Sequence, residues 1–317
     1  MSDSEWVEAA YRVLLAREPA DEEIARLTAT AATPEQLLGK LVSDPLSQQA
    51  LAWSGYRQLV HRCLVAKRQY VDIGVTPEQL SHLFERVRLQ WSELGETDPY
   101  WSVLTNDKYR KAHVDQHLAE FEASGKHSIT FFDLALDRSS LNAPQGTCLE
   151  LGCGVGRVTR FLANRFENVI AVDISAGNLA ICEDYLKRMD ISNVELRLIN
   201  SPADLEQLPD YDVLFSVIVL QHNPPPVIRY MLDQLLARVR AGGAAYFQVP
   251  THSPGYTFSL DDFLTQPAAI LDMHVLPMKH VFTALNQAGM EMQEVMSDTF
   301  TGMPGSSTFL ATKPKSD

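Results

Sequence analysis

The stretch TCLELGCGVGRVTRFLANRFENVIAVDIS, residues 147–175, decides the fold. It opens with an apolar run of the length of a buried parallel strand, and three glycines at alternate positions follow, Gly152, Gly154 and Gly156. Residues 157–166 carry apolar side chains at helical spacing, and a second apolar run ends in Asp173. The pattern predicts a strand, a tight glycine turn, a helix lying on a sheet, a second strand and an acid.

Such a unit is suited to a cofactor that contains a nucleoside. Glycines let a ligand approach the backbone, the helix start offers unpaired N–H groups, and Asp173 can accept both ribose hydroxyls. A dinucleotide site favours G-x-G-x-x-G, because its pyrophosphate rests on the helix N-terminus, whereas this turn reads G-x-G-x-G after Glu150. Glu150 would repel a pyrophosphate but could hold the ammonium of S-adenosylmethionine, which has a sulfonium, a ribose and no phosphate.

The segment ELGCGVGR, residues 150–157, together with Asp173 closely resembles the first two cofactor motifs of class I S-adenosylmethionine-dependent methyltransferases. The resemblance implies methyl transfer, with S-adenosylmethionine as the cofactor. A glycine turn that only tightens strand–helix packing is the alternative, and Arg157 could bind an acidic substrate group or pair with a surface carboxylate. The cofactor-binding residues expected are Glu150, Gly152, Cys153, Gly154, Gly156, Arg157, Asp173, Ile174, Ala203, Asp204 and Val217.

Composition narrows the class of protein. The 317 residues carry a net charge of −13 with no Lys/Arg stripe, which disfavours nucleic acid as a partner and favours a small acceptor. No run approaches the roughly 18 apolar residues that span a bilayer, and the first residues lack a signal core, so we expect a cytoplasmic protein. The cysteines, Cys63, Cys148, Cys153 and Cys182, show no metal-binding spacing, so no metal is expected.

The N-terminal part, residues 1–65, reads as an all-α domain of short amphipathic helices. Its segment YRVLLAREPAD, residues 11–21, resembles the helical module, related to phycobilisome linkers, that is often fused to enzymes of bacterial surface polysaccharide assembly. This resemblance implies a sugar or glycan-linked acceptor, and it makes these helices candidates for a protein partner or an oligomer contact. Thr-Pro-Glu-Gln at 33–36 and again at 76–79 predicts two capped helix starts.

Residues 66–143 are expected to form a helical linker and lid. Residues 56–92 continue at helical spacing, one helix is predicted to end near Ser124-Gly125, and another runs from Ser128 to about Leu136. The aromatic segment at 98–109 resembles the lid that covers the cofactor in many small-molecule methyltransferases. Tyr100, Trp101 and Tyr109 are therefore candidate substrate-binding residues, or they staple the helices to the core.

Residues 144–317 alternate strands and helices, which predicts an α/β fold with a doubly wound, mostly parallel sheet of seven strands. A strand is predicted at 212–219, a turn at Gly242-Gly243, and a strand at 244–249. Two last strands, 291–297 and 307–312, joined through 302–305, resemble the antiparallel terminal hairpin of the Rossmann-like methyltransferase fold.

Ligands of such a sheet bind beyond the carboxyl ends of its strands. Ala203 and Asp204 match the family's adenine-contacting motif, although Asp204 could instead cap a short helix. His222 follows the fourth strand and is the candidate catalytic base, with an expected pKa near its usual 6.5 and a rate rising through about pH 6–7. His274 is the second candidate base.

The long insertion at 251–280 is expected to build the acceptor pocket, with His252 and Tyr256 as substrate-binding candidates. The acceptor expected first is a hydroxyl of a sugar, a glycan-linked compound or another small molecule. N-methylation of a small amine is the close alternative. A non-catalytic scaffold that binds S-adenosylmethionine and recruits partners through its helical module is the alternative of another class.

Overall fold

The computed structural model describes residues 69–142, 144–266, 271–301 and 305–315, together with residues 7, 8, 11, 18–29, 36 and 40. Its contacts divide the chain into two compact units, Met1–Arg68 and Gln69–Asp317. The second unit contains the expected lid as well as the sheet. The predicted boundaries at 65 and 143 stay predictions; Cys63, the cap residues at 33–35 and the turn residues at 302–304 lie outside the described residues.

In the first unit the structure describes one helix, α1, Asp21–Thr28. Its first turn carries Asp21, Glu22 and Glu23, where negative charge interacts favourably with the positive end of the helix dipole. The Glu23 carboxylate also accepts the N–H of Ala20 at 2.8 Å, and Leu27 is buried. The helical prediction is therefore met by these residues, and the rest of this unit stays a prediction.

The second unit is built on a seven-stranded sheet in the order β3-β2-β1-β4-β5-β7-β6. Strands β1 to β5 run parallel, and β7 pairs antiparallel with both β5 and β6. This arrangement confirms the predicted doubly wound sheet and its antiparallel terminal hairpin. The strands are β1 Thr147–Leu151, β2 Asn168–Asp173, β3 Val194–Leu198, β4 Tyr211–Ser216, β5 Val239–Pro250, β6 Glu291–Ser297 and β7 Ser306–Thr312.

Helices flank the sheet and precede it. Three short 3₁₀ turns, Asp107–Tyr109, Val114–Gln116 and Leu220–His222, add to them. The α-helices of this unit are α2 Pro77–Thr97, α3 Pro99–Val103, α4 Leu118–Arg138, α5 Thr159–Ala163, α6 Ala176–Arg188, α7 Pro202–Glu206, α8 Pro225–Ala237, α9 Leu260–Thr265 and α10 Met278–Gln287.

The start of α2 confirms the predicted cap at 76–79. The Thr76 hydroxyl accepts the Gln79 N–H at 3.2 Å, and the Gln79 side-chain oxygen accepts the Thr76 N–H at 2.9 Å. Helical structure was expected over 56–92, and this is wrong for residues 69–76, which lead to the cap without forming a helix. Within them, Val71 forms a parallel bridge with Phe258.

The predicted helix end at Ser124-Gly125 is wrong, since α4 runs unbroken from Leu118 to Arg138. A Cβ at Gly125 would collide with the backbone carbonyl of Arg157, so this glycine is required for close packing and not for a break. The pattern could not separate these two uses of glycine, because the Arg157 carbonyl comes from 32 positions along the chain.

Two predictions in the sheet also needed correction. Gly242 and Gly243 do not form the predicted turn, because they lie inside β5. The pairing of β5 with β4 shifts register between Tyr211 and Val213. β4 ends at Ser216 and not at residue 219, and Ile218 has a φ of 63°, which is incompatible with a continuing strand.

The core has two layers, one on each face of the sheet, because successive strand residues point to opposite faces. Leu149 and Leu151 of β1 pack in the cluster that contains α8, whereas Cys148 packs in the cluster that contains Phe132 of α4. Strand β1 lies between β2 and β4, and the clusters on the two faces of the sheet cover its side chains.

Leu149→Ala should lower the free energy of unfolding by about 2–5 kcal/mol, because Leu149 is fully buried at the centre of the sheet and the change leaves a cavity. Leu89→Ala in α2 is the matched control: Leu89 is 55% exposed, and a change within about 0.5 kcal/mol is expected. Urea unfolding followed by circular dichroism measures both; equal losses would contradict the placement of β1.

Candidate active site

A cleft lies at the carboxyl ends of β1, β2 and β4, where a doubly wound sheet places its ligands. Side chains of α2 and α3 also line it. The predicted site residues that line the cleft are Glu150, Gly152, Cys153, Gly154, Arg157, Asp173, Ile174, Val217 and His222. The structure therefore brings together most of the predicted cofactor residues and the first candidate base.

The glycine turn is shaped by close approach of neighbouring side chains. Gly152 and Gly154 have φ values of 73° and 54°, which L side chains rarely adopt. A Cβ at Gly154 would lie 2.6 Å from a methyl carbon of Val103 in α3, and one at Gly152 would collide with Val219. Gly156 does not line the cleft. A Cβ at Gly156 would come 2.8 Å from the sulfur of Cys182.

Asp173 ties the glycine turn to the start of α6. One carboxylate oxygen accepts the Gly154 N–H at 2.8 Å, and the other accepts the Ser175 N–H at 2.9 Å. Burial raises the pKa of Asp173, and the backbone N–H groups oppose that shift. Each oxygen keeps a second lone pair, so the carboxylate can still accept hydroxyl groups of a ligand.

Glu150 and Arg157 bring opposite charges into the same cleft. Glu150 is 3% exposed and its Oε2 has no hydrogen-bond partner among the described residues. Burial raises the pKa of Glu150 to about 7; the nearby Thr159 hydroxyl and the charge of Arg157 lower it, and the charge of Asp173 raises it. At neutral pH the carboxyl is therefore only partly ionised, and a cation that reached it would favour the charged form.

The Arg157 guanidinium is also buried, and burial lowers its pKa. Its Nη1 donates to the Ser124 hydroxyl at 3.4 Å, while its Nε has no partner among the described residues. This burial disfavours the alternative in which Arg157 pairs with a surface carboxylate. The unpaired Nε leaves a donor for an anionic group of a ligand.

The loop after β3 departs from the prediction. Asp204 is the third residue of α7, and its carboxylate accepts the N–H groups of Asn200 at 2.7 Å and Ser201 at 2.9 Å. The N-cap is Ser201, so the alternative in which Asp204 is itself the N-cap is wrong, although Asp204 does help to cap the helix. Ala203 and Asp204 are not among the cleft-lining residues, whereas the apolar Ile199 and Leu205 are. The adenine role of Asp204 stays a prediction that its contacts do not favour.

His222 lies in the 3₁₀ turn after β4. Its Nδ1 is 3.3 Å from the carbonyl oxygen of Asp272 and its Nε2 is 3.2 Å from the Gln221 amide nitrogen. Because a carbonyl only accepts and an amide nitrogen only donates, these partners assign the proton to Nδ1 and make Nε2 the acceptor of the Gln221 amide N–H. Burial lowers the pKa of His222 to about 4, so the expected pKa near 6.5 is wrong.

The second candidate base, His274, lies outside the cleft lining. It is buried between the rings of Phe258 and Phe263, its Nδ1 is 2.9 Å from the Tyr256 hydroxyl, and burial lowers its pKa to about 4. Tyr256 and His252 do not line the cleft either. Other residues of this insertion contact the rest of the second unit, as Phe258 does in its bridge to Val71 and Asp272 in its contact with His222. The predicted roles of His252, Tyr256 and His274 with the acceptor stay predictions.

The predicted lid aromatics serve as packing residues. Tyr100 and Tyr109 meet the ring of Phe121 edge to face, with ring centres 5.2 and 5.1 Å away, and the Arg110 guanidinium lies 3.8 Å from the centre of the Trp101 ring. None of these three predicted residues lines the cleft, which is the stapling arrangement that was the alternative.

Sequence reasoning missed several lining residues, among them those of the two helices that precede the sheet, Val87 and Trp91 of α2 and Ser102 and Val103 of α3. Val87 and Trp91 are four positions apart, so they share one helix face with the predicted apolar stripe of α2. The stripe was visible in the sequence, but its direction towards the cleft was not.

Residues 148–243 match the family model of a methyltransferase domain. The chain carries a methyltransferase domain. The ubiquinone biosynthesis O-methyltransferase of Acinetobacter baumannii (strain ACICU) is 29% identical over 116 residues, 35% of this chain and 47% of that protein. The protein of the same name from Pseudomonas fluorescens (strain SBW25) is 30% identical over 114 residues, 35% of this chain and 48% of that one. The chain thus spans about half the length of these two relatives.

A solved structure supports the same fold. Phosphoethanolamine N-methyltransferase 1 of Haemonchus contortus, in complex with phosphoethanolamine and S-adenosylhomocysteine, superposes with a TM-score of 0.52 at 15% identity, over 76% of this chain and 50% of that one. The predicted Rossmann-like sheet is confirmed, and residues 148–243 match a methyltransferase domain.

Among the described helices, none combines the length and the apolar character that crossing a membrane requires. Across the part of the chain that the structure describes, no group of three or more His, Cys, Asp or Glu side chains is placed to hold a metal ion.

Glu150→Gln should change how stability depends on pH. In the wild type the pKa of Glu150 is about 7 in the folded chain against about 4.3 in the unfolded chain, so the folded state loses stability as pH rises from about 4.5 through 7. The variant lacks this titration, and its free energy of unfolding should gain on the order of 2 kcal/mol relative to wild type between about pH 5 and pH 8.

Urea unfolding of both proteins at the two pH values measures this gain. Glu291→Gln is the control, because Glu291 is exposed and no pH-dependent difference is expected. A Glu150→Gln difference that is the same at both pH values would show that the carboxyl ionises normally in the cleft.

Proposed function

We propose that the protein is a methyltransferase that uses S-adenosylmethionine and transfers its methyl group to a hydroxyl of a small-molecule acceptor. The observation that carries the proposal is the unpartnered, buried oxygen of Glu150 beside the glycine turn, with Asp173 at the next strand end. A buried polar atom without a partner costs free energy unless a ligand satisfies it.

The residues of the cleft fit this cofactor. Glu150 would accept from the ammonium, the Arg157 Nε would donate to the carboxylate, and Asp173 would accept from the ribose hydroxyls. Ile174, Ile199 and Leu205 supply an apolar surface of the kind that suits a purine ring. Gly152 and Gly154 line the cleft without side chains of their own, and Val219 and Val103 pack closely beside them.

When bound, S-adenosylmethionine supplies a methyl group on a sulfonium that is already activated for in-line displacement. The chain's own contribution is to hold the acceptor oxygen in line, to exclude water through α2 and α3, and to remove one proton. Nε2 of His222 would take that proton in place of its hydrogen bond from the Gln221 amide, because Nδ1–H is held by the Asp272 carbonyl.

A hydroxyl acceptor is favoured over a cationic amine by the charges of the cleft. The described acids that line it are Glu150 and Asp173, and the cofactor would occupy both. An ammonium acceptor would then be left without a counter-charge, whereas a hydroxyl needs only the His222 base. Sugar and glycan-linked acceptors belong to this proposal through the N-terminal resemblance, as do a partner or oligomer contact of the N-terminal helices and a cytoplasmic location.

Asp173→Ala should weaken the binding of S-adenosylhomocysteine by on the order of 2–3 kcal/mol, the scale of charge-assisted hydrogen bonds, as measured by calorimetry. Asp204→Asn is the matched control, since an amide oxygen can still accept the Asn200 and Ser201 N–H groups and the affinity should not change. Wild-type protein that binds NAD and ignores S-adenosylhomocysteine would rule out the proposed cofactor.

His222→Ala should leave the affinity for S-adenosylhomocysteine nearly unchanged and lower the turnover number about 10²–10⁴-fold, the usual contribution of a positioned base. Because burial holds the pKa of His222 at about 4, the base is already unprotonated at neutral pH. The wild-type turnover number at saturating cofactor should therefore stay flat through about pH 6–7 and fall only towards pH 4.

Methyl transfer to the true acceptor, followed as S-adenosylhomocysteine production across pH, measures this. His280→Ala is the control, because His280 lies on α10 outside the cleft lining. A turnover number that rises through about pH 6–7 would contradict the buried position of the ring.

A further inference from the structure

One wall of the cleft is aromatic and apolar. The indole of Trp91 packs against the His222 ring, with ring centres 5.0 Å apart and planes tilted by 59°. Val87, one turn earlier on α2, and Val219, just before the His222 turn, line the same cleft. The acceptor oxygen must come close to Nε2 of His222 if that atom takes its proton, so the acceptor must lie against this wall.

Few amide or hydroxyl side chains line the cleft: in the described residues they are Ser102, Asn178 and Asn223. Ser102 donates its hydroxyl to the Pro99 carbonyl at 2.6 Å, and the Asn223 amide nitrogen donates to the Val219 carbonyl at 3.1 Å. Asn178, in the first turn of α6, has a buried Oδ1 with no hydrogen-bond partner among the described residues. A sugar carries several hydroxyl groups, each of which loses water on burial and needs a partner, so its burial here would be costly.

The charges of the cleft give an independent reason to expect an uncharged acceptor. The ionisable side chains that line the cleft, apart from His222 and Cys153, are Glu150, Arg157 and Asp173, and all three belong to the proposed cofactor site. A charged acceptor group would have no opposite charge among the described lining residues near Trp91. Flat, uncharged, apolar surface is what the indole face binds well.

We propose that the acceptor presents its hydroxyl on an uncharged aromatic ring that packs against Trp91, and not on a sugar. This inference rests on the proposed function and narrows it to one substrate class. The weak basicity of the buried His222 agrees with it, because a phenolic hydroxyl, with a pKa of about 10, gives up its proton far more readily than an aliphatic hydroxyl does.

The test measures binding first and turnover second. Full-length protein saturated with S-adenosylhomocysteine is titrated calorimetrically with phenol, catechol and 2-naphthol, and with methyl glucoside, methyl galactoside and ethanolamine. At least one aromatic hydroxyl compound should bind about tenfold or more tightly than any of the other three, and with S-adenosylmethionine it should be the one that is methylated. Preferred binding of a sugar or of ethanolamine, or no preference, overturns the inference.

Variants of one residue assign the binding to Trp91. Trp91→Leu should weaken the binding of the aromatic compound about tenfold. Trp91→Phe should weaken that binding less than about threefold, because Phe keeps a ring face. Both should keep the wild-type affinity for S-adenosylhomocysteine. Leu89→Ala, on the exposed face of α2, should change neither binding constant.

The failures are separable. Loss of S-adenosylhomocysteine binding in Trp91→Leu, equal to its loss of acceptor binding, would show that Trp91 serves the cofactor and would overturn the inference alone. Wild-type protein that does not bind S-adenosylhomocysteine at all would overturn the proposed function itself.

Discussion

The second unit depends on one carboxylate, that of Asp173. Its two oxygens hold the N–H of Gly154 in the turn after β1 and the N–H of Ser175 at the start of α6. Two consecutive strand ends are thereby fixed relative to each other, although Asp173 lies 19 positions after Gly154. Because these hydrogen bonds have an acceptor that is buried and charged when ionised, each is stronger than an ordinary backbone bond. The cleft exists because this link holds the turn open in one shape.

The electrostatics of the cleft follow from burial more than from ion pairing. Glu150 has its pKa raised, whereas Arg157 and His222 have theirs lowered, and in each case the largest cause is loss of water. At neutral pH Glu150 is therefore only partly ionised and His222 is neutral while nothing is bound. A ligand that carries an ammonium, a carboxylate and a sulfonium can then favour the ionised form of Glu150 when it binds. Part of its recognition would be this loss of a proton from the protein.

The sequence predicted what depends on neighbours along the chain. The order of strands and helices, the cap at Thr76 and the terminal hairpin all follow from short-range patterns that the structure bears out. What failed depends on distant neighbours. The low pKa of His222 needs the burial created by Trp91 and the insertion, and the choice of Val103 over Trp101 as a lining residue needs the direction in which α3 is docked. A single sequence contains no signal for either, because both are decided by which surfaces meet after folding.

The glycine turn has a consequence for how such motifs persist over evolution. A Cβ at Gly152 would collide with Val219, one at Gly154 would crowd Val103, and both glycines have positive φ, so a larger residue at either position would strain the turn. A descendant that had lost all use for a ligand would still lose stability on replacing these glycines. The residue that would drift first is Glu150, whose Oε2 is bonded to nothing in the described protein and which packing alone would replace with an apolar side chain. Among homologues, an acid at position 150 is therefore a better mark of a working enzyme than the glycines beside it.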